Sequence, residues 1–320
     1  MARPLQLGLV GTGVAARELY APAFKELEGK VQVVACANRT RKKAEAYAKA
    51  VGIPKVVHDA EELIALPEVD AVLLSLPIDL QPEYVLMALK AGKPVLSEKP
   101  VAPSVAVGKR LVKAASKIAV PWLVGENFAF MSHAAKLKQW LDAGRLGDVR
   151  LVQATQMTFM DASNPYFNTA WRAKPGQGGG FVVDGGVHVA NVVRRCFGMP
   201  EELRGLVGAF DDKLPPIDTA VAVMRFESGA LGTWTSCFSA HYEGPVLRVF
   251  GSRGTAELTW DTVTLHTAKG KEVVFRNAKN SFSVQFEHFR DVVQRGVAPL
   301  VSPAEALADL HFVESLCRPK

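Results

Sequence analysis

Cysteine is scarce. The chain has four in 320 residues (Cys36, Cys196, Cys237 and Cys317), with no C-x-x-C pair and no Cys/His cluster at zinc spacing. That argues against a disulfide framework or a metal site, and free thiols in a reducing cytosol are expected. Long apolar runs are missing: nothing approaches the roughly 18 consecutive apolar residues of a membrane span. The first residues pass almost directly into an apolar strand, without the charged region, apolar core and cleavage site of a signal peptide. A cytoplasmic location with no membrane partner is therefore expected. A basic tail or stripe is lacking too. The densest basic run, Arg39–Lys43, is short and opens a helix, so nucleic acid is not an expected partner. Internal repeats and low-complexity tracts are absent.

What is present suits two globular domains. Apolar residues make up 48% of the chain and charged residues 22%, and the net charge of +6 suits a polyanionic ligand. The first 120-odd residues alternate strand and helix patterns, with expected strands at Leu5–Val10, Val31–Ala37, Lys55–Val57, Asp70–Ser75, Pro94–Ser97 and Trp122–Val124. Helical spacing lies between them, at Ala16–Leu27, Arg41–Val51, Pro82–Ala91 and Ser104–Ile118. Thr40 is an expected N-cap, and Asp59-x-x-Glu62 reads as a capping box. Regular βα alternation with short links predicts an α/β fold with a doubly wound parallel sheet.

The pattern then changes. After a helix near His133–Ala143, strand-like runs dominate: Val149–Met160, Thr219–Phe226, Ala230–Phe238, Pro245–Gly251, Thr255–Trp260 and Val273–Arg276. A glycine-rich stretch, Gly176–Gly180, leads to a helix at about Gly186–Phe197. Two helices close the chain, Ser283–Arg295 and one starting Ser302-Pro303-x-Glu305. An α+β domain with a large, mostly antiparallel open sheet is expected for residues 123–320, after a nucleotide-binding domain over residues 1–122.

Gly11-Thr12-Gly13-Val14-Ala15-Ala16 places G-x-G-x-x-A between the first strand and the first helix. Gly11 permits the turn, Gly13 lets backbone approach a pyrophosphate, and Ala16 lets helix and sheet pack closely. A dinucleotide is the expected ligand. After the second strand an NAD site usually carries Asp or Glu for the ribose hydroxyl. Here Asn38-Arg39-Thr40 stands instead, and Arg39 can pair with a 2′-phosphate, so NADP is preferred over NAD.

Two segments carry chemistry. Lys99, in Ser97-Glu98-Lys99-Pro100, follows the fifth strand, where ligands of such sheets gather, and can exchange a proton with a hydroxyl. Asp184 and His188 share a helix face if the helix begins by Asp184. His188 is then an acid/base candidate, and Asp184 binds a hydroxyl or orients the imidazole. Read alone, Lys99 is more often a surface lysine, and the alternative for His188 is a structural histidine at a helix start. Phe128, Phe130, Phe159, Phe167 and Trp171 either form core or line a pocket for a less polar ligand.

Together these residues resemble the glucose–fructose oxidoreductase / inositol 2-dehydrogenase / rhizopine-catabolism (Gfo/Idh/MocA) family, over essentially the whole chain. The resemblance rests on Gly11–Ala16, Glu98-Lys99-Pro100, Asp184-x-x-x-His188 after Gly178-Gly179-Gly180, Trp171-Arg172, and Ser302–Leu307. It implies an NAD(P)-dependent dehydrogenase or reductase acting on CH–OH groups of a sugar-like small molecule. It implies catalytic roles for Lys99 and His188, with Asp184 positioning substrate. It further makes Asn127 a candidate for cofactor or substrate hydroxyls, Phe128 a substrate contact, and Trp171 and Arg172 pocket or cofactor contacts. A homodimer or homotetramer built through the second domain is implied as well. Ser75-Leu76-Pro77-x-x-x-Gln81 departs from the common T-P-N-x-x-H: Pro77 is kept, Gln81 replaces His, and Ser75, Leu76 and Gln81 would still bound the cofactor. Two other functions remain open: a catalytically silent dinucleotide- and sugar-binding regulator, and a reductase of a non-sugar carbonyl or imine.

Overall fold

Strand β1 (Leu5–Val10) is buried on both faces beyond Gln6: Leu5, Leu7 and Leu9 are fully buried on one, and Gly8 and Val10 are buried on the other. Such a strand needs cover from both sides, which a parallel sheet flanked by helices provides. It lies between β2 (Val31–Ala37) and β4 (Ala71–Leu74), paired in parallel with each. With β3 (Lys55–Val56), β5 (Val95–Glu98) and β6 (Trp122–Gly125), the sheet runs β3-β2-β1-β4-β5-β6, all parallel. The computed structural model describes residues 3–167, 169, 180–276 and 279–317.

The intervening helices are α1 (Ala21–Glu26), α2 (Arg41–Val51), α3 (Ala60–Ala65), α4 (Gln81–Lys90) and α5 (Val105–Ala115). Their caps are local chemistry. Asp59 accepts the Glu62 N–H at 2.8 Å, while Glu62 Oε2 accepts the His58 N–H at 2.8 Å. Ser104 accepts the Val107 N–H at 3.3 Å. Thr40 occupies the N-cap position of α2, but its side chain makes no cap hydrogen bond, which corrects the expectation from sequence. The single helix expected over Ala16–Leu27 is also modified: Ala16–Tyr20 forms a π-helical turn that runs into α1. In that wider turn the Ala16 carbonyl accepts both the Ala21 N–H and, at 2.9 Å, the Tyr47 hydroxyl.

The second sheet has eight strands: β7 (Val149–Met157), β8 (Pro200–Gly208), β9 (Thr219–Phe226), β10 (Leu231–Cys237), β11 (Leu247–Gly251), β12 (Gly254–Leu258), β13 (Thr262–Thr267) and β14 (Gly270–Phe275). Their order is β14-β13-β12-β11-β7-β10-β9-β8. Every pairing is antiparallel except that of β7 with β10, which run parallel. Strands β8 and β13 were not anticipated. β8 (PEELRGLVG) lacks apolar alternation, and it is held by pairing with β9 rather than by its own pattern. Along β9 the alternation is clear: Ala220, Ala222, Met224 and Phe226 are buried, while Val221 and Val223 are exposed.

Helix α6 (Ser132–Asp142) precedes β7, and α7 (Gly180–Phe197) follows it. Helix α7 starts earlier than the expected Gly186. Helices α8 (Ser281–Arg295) and α9 (Pro303–Leu316) close the chain, and Ser302 Oγ accepts the Glu305 N–H at 3.2 Å. The chain divides into two compact units. One comprises Met1–Asn127 with Lys279–Leu307, the other Phe128–Ala278 with Ala308–Lys320. The sequence places a boundary between residues 122 and 123; the first unit here continues to Asn127 and takes up α8. Among the described residues no helix is long and apolar enough to cross a membrane, and no three His, Cys, Asp or Glu side chains gather as metal ligands would.

Candidate functional site

In the first unit, parallel pairing brings the carboxyl ends of the strands to one edge, where open α/β sheets bind their ligands. Gly11 follows β1, Asn38 follows β2, Ser75 follows β4, Glu98 ends β5 with Lys99 next, and Asn127 lies just after β6. The chain order reverses between β1 and β4, the topological switch point of such a sheet.

The turn after β1 fits a dinucleotide. Gly11 has φ +96°, and a Cβ there would stand 2.1 Å from the Ser75 carbonyl oxygen, so only glycine closes the turn. Gly13 is exposed, and a Cβ on it would meet nothing within 4 Å. Its lack of a side chain therefore serves no contact inside the protein and leaves backbone open to a ligand. Thr12 is fully buried and its Oγ1 has no hydrogen-bond partner, a donor that a phosphate oxygen would satisfy. Val14 and Ala15 lead into the helical start at the buried Ala16. Gly11–Ala15 would thus hold the pyrophosphate. Arg39 and Thr40 are exposed and Asn38 is half-buried, with no carboxylate following β2.

Ser75, Leu76 and Pro77 are half-buried, and Pro77 leads toward α4. Gln81, at the start of α4, is 1% exposed. Its Nε2 donates to the Pro100 carbonyl at 3.4 Å, and its Oε1 has no partner. It therefore ties α4 to the residue following Lys99. Lys99 is half-buried, and its backbone N–H donates to Glu98 Oε2 at 3.2 Å. Asn127 is buried, and its Nδ2 donates to Ser281 Oγ at 3.1 Å, linking the end of β6 to the start of α8.

In the second unit, α7 carries both candidate groups. Because it starts at Gly180, Asp184 and His188 lie one turn apart on one face, which meets the condition set by their spacing. Asp184 is 9% exposed and His188 half-buried. The glycines between them let the helix press inward. A Cβ at Gly185 would meet the Phe238 ring at 2.8 Å, and one at Gly186 would meet Val313 at 2.9 Å. Phe128 lies parallel to His188, with ring centroids 4.4 Å apart and planes 15° apart, and it meets Trp260 edge-to-face at 5.5 Å. Trp171 and Arg172 lie outside the described residues, as do Gly176–Gly179.

Sequence reasoning missed three supports: Tyr47, which holds the Ala16 carbonyl; Ser281, which holds Asn127; and Trp260, which braces Phe128. Each acts across a long stretch of chain, so local spacing carries no signal for it.

Comparison with known proteins agrees with this geometry. Residues 5–126 match the model of the oxidoreductase family with an NAD-binding Rossmann fold, and residues 134–257 match the GFO/IDH/MocA C-terminal domain. A crystal structure of an oxidoreductase from Thermotoga maritima superposes with a TM-score of 0.93 at 35% identity, covering 99% of this chain and 96% of that one. Dehydrogenase FPY6 of Fusarium mangiferae is 30% identical, over 97% of this chain and 95% of its own. The 1,5-anhydro-D-fructose reductase of Ensifer adhaerens is 28% identical, over 90% and 87% respectively. Sheet order, glycine turn and these matches define an oxidoreductase with an NAD-binding Rossmann domain. The chain belongs to the GFO/IDH/MocA family.

Proposed function

We propose that the protein is an NAD(P)-dependent dehydrogenase or reductase acting on a hydroxyl or carbonyl carbon of a sugar, polyol or related small molecule. The observation that carries the reading is the joint presence of the open glycine turn, Lys99 at the carboxyl edge of the parallel sheet, and the Asp184/His188 pair on one face of α7. The nicotinamide, when bound, supplies hydride transfer. In the oxidative direction His188 takes the substrate hydroxyl proton, and in the reductive direction it returns a proton to the carbonyl oxygen. Lys99 shares in moving that proton and hydrogen-bonds the same oxygen, stabilising the charge that develops on it. Asp184 accepts from a second substrate hydroxyl. Asn127 and Phe128 contribute to substrate binding, and the second unit, which makes up most of the residues 123–320 expected from sequence, serves substrate binding and oligomerisation. The reductase relative named above acts, by its name, on a sugar-derived ketone, which supports a sugar-like substrate here.

Arg39 favours NADP, with Thr40 and Asn38 as further donors to the ribose end and Ser75, Leu76, Pro77, Gln81 and Glu98 bounding the cofactor. The exposed valines Val221 and Val223, with Leu206 paired beside Val221, give the outer face of β8 and β9 an apolar surface suited to a homodimer or homotetramer. A monomer by sedimentation would remove the oligomer from this reading.

The test is turnover of a panel of pyranoses, polyols and ketosugars with NAD(P), with Lys99→Ala and His188→Asn as controls. Lys99→Ala is expected to lose about 10²–10⁴-fold in kcat while still binding dinucleotide. No turnover with any compound would favour a silent regulator, and full activity in Lys99→Ala would take that residue out of the chemistry.

A further inference from the structure

We propose that Phe128 is a positioning residue for His188, fixing the plane of the imidazole and so the directions in which its ring nitrogens act. The inference rests on the acid–base role proposed for His188. The helix sets where the His188 Cβ stands and narrows its first torsion, but the torsion that turns the ring is broad and roughly two-fold. Membership of α7 alone therefore leaves the imidazole plane loosely defined. Proton transfer needs a ring nitrogen aimed at the substrate oxygen, so this freedom bears directly on the chemistry.

The structure supplies a flat neighbour. The Phe128 ring lies 4.4 Å from the imidazole, centroid to centroid, at an interplanar angle of 15°. Parallel rings at this separation resist rotation of either one, because turning the imidazole drives its edge into the phenyl face. Phe128 is itself restrained. It lies in a short 3-10 turn, Asn127–Phe130, and meets the Trp260 ring nearly at right angles, 86° and 5.5 Å. Phe128 and Trp260 also line one mainly apolar cavity, shared with Met131, Val189, Val192 and Leu258 as well as His133 and Thr259. The order Trp260, Phe128, His188 thus forms a braced aromatic stack with the acid–base candidate at one end. Phe128 has no group that could exchange a proton, so beyond its substrate contact its effect on kcat is exerted through His188.

The experiment compares Phe128→Leu, which removes the flat face, with Phe128→Tyr, which keeps it, in the full chain. Phe128→Leu is expected to lower kcat by about ten- to a hundredfold, the scale of a misaimed catalytic group, a loss that the missing substrate contact, which raises KM, does not produce. Phe128→Tyr should recover most of that loss. An independent readout uses the protein without substrate or cofactor. With labelled histidine, the His188 ring protons, assigned by their loss in His188→Asn, should resonate upfield through the phenyl ring current. They should move downfield in Phe128→Leu and stay upfield in Phe128→Tyr. Phe128→Met replaces Phe128→Leu if the latter fails to fold. A rise in KM at unchanged kcat, equal losses in the leucine and tyrosine variants, or His188 protons without the upfield displacement would each overturn the proposal. If His188→Asn keeps full turnover, the acid–base reading fails instead, while the resonance measurement still reports whether the stack exists.

Discussion

Arg194 donates from Nε to Asp309 Oδ1 at 2.7 Å, an ion pair with side chains only 10% and 3% exposed. The other carboxylate oxygen accepts from Asn191 Nδ2 at 2.8 Å, so Asp309 on α9 holds two successive turns of α7, the helix of Asp184 and His188. Removing one member of a buried pair strips the other of that countercharge in a low-dielectric site. Asp309→Ala is therefore expected to lower unfolding free energy by about 3 kcal/mol or more, read by urea denaturation. A loss below about 1 kcal/mol would show that the pair contributes no more than a surface contact.

The two glycines of the β1 turn should separate folding from binding. Gly13→Ala adds a methyl that meets no protein atom within 4 Å, so the thermal midpoint should stay put while dinucleotide affinity falls by at least about tenfold. Gly11→Ala forces a side chain onto positive φ and against the Ser75 carbonyl, and it should cost about 1–3 kcal/mol of stability as well as binding. Undiminished cofactor affinity in Gly13→Ala, by fluorescence titration, would contradict the assignment of the cradle.

Arg39 is exposed at the end of β2 with no carboxylate beside it in the chain. Arg39→Asp should swing preference from NADPH toward NADH by at least about tenfold, since it removes a phosphate partner and adds a repelling charge. Tighter binding of NADH than NADPH by the unaltered protein would reverse the cofactor reading.

His288 Nε2 accepts the Leu300 N–H at 2.9 Å, and burial pushes its pKa below the ordinary 6.5, with Asp291 opposing. His133 is shifted the same way, also chiefly by burial. The unfolded chain therefore binds these protons before the folded one does. Stability from both groups is fully present above about pH 6.5 and is lost as pH falls through that value toward the depressed folded pKa. Urea midpoints at pH 7.5 should exceed those at pH 5.5, and His288→Gln should flatten the difference. An unchanged slope in that variant would assign the acid sensitivity elsewhere.

Much of the first sheet was legible because its signals are local. Short apolar runs bounded by turn residues, such as Ala71–Leu74, read as buried strands, and the capping groups Asp59, Ser104 and Ser302 mark helix starts by their own hydrogen bonds. What was not legible depends on distant partners. Strand β8 exists through β9, the true start of α7 lies in a glycine stretch with poor helix propensity, and the π-helical turn at Ala16 is held by Tyr47. The candidate site divides the same way. The glycine turn, Lys99 and the Asp184/His188 spacing could be read from the chain, whereas the stack on His188 brings Phe128 and Trp260 from two separate segments.

Helix α8 joins the first unit although it is made after all eight strands of the second sheet. Its Phe282 and Phe286 pack on Tyr20, Phe286 also on Phe24, and Ser283 Oγ donates to Glu26 at 2.6 Å. On the ribosome, then, the nucleotide-binding half must wait, with Tyr20 and Phe24 uncovered, while the rest of the protein emerges. Maturation of the two halves is interleaved rather than sequential. A chain released after Asn127 should carry a sticky apolar patch that takes up hydrophobic dye and is bound by chaperones.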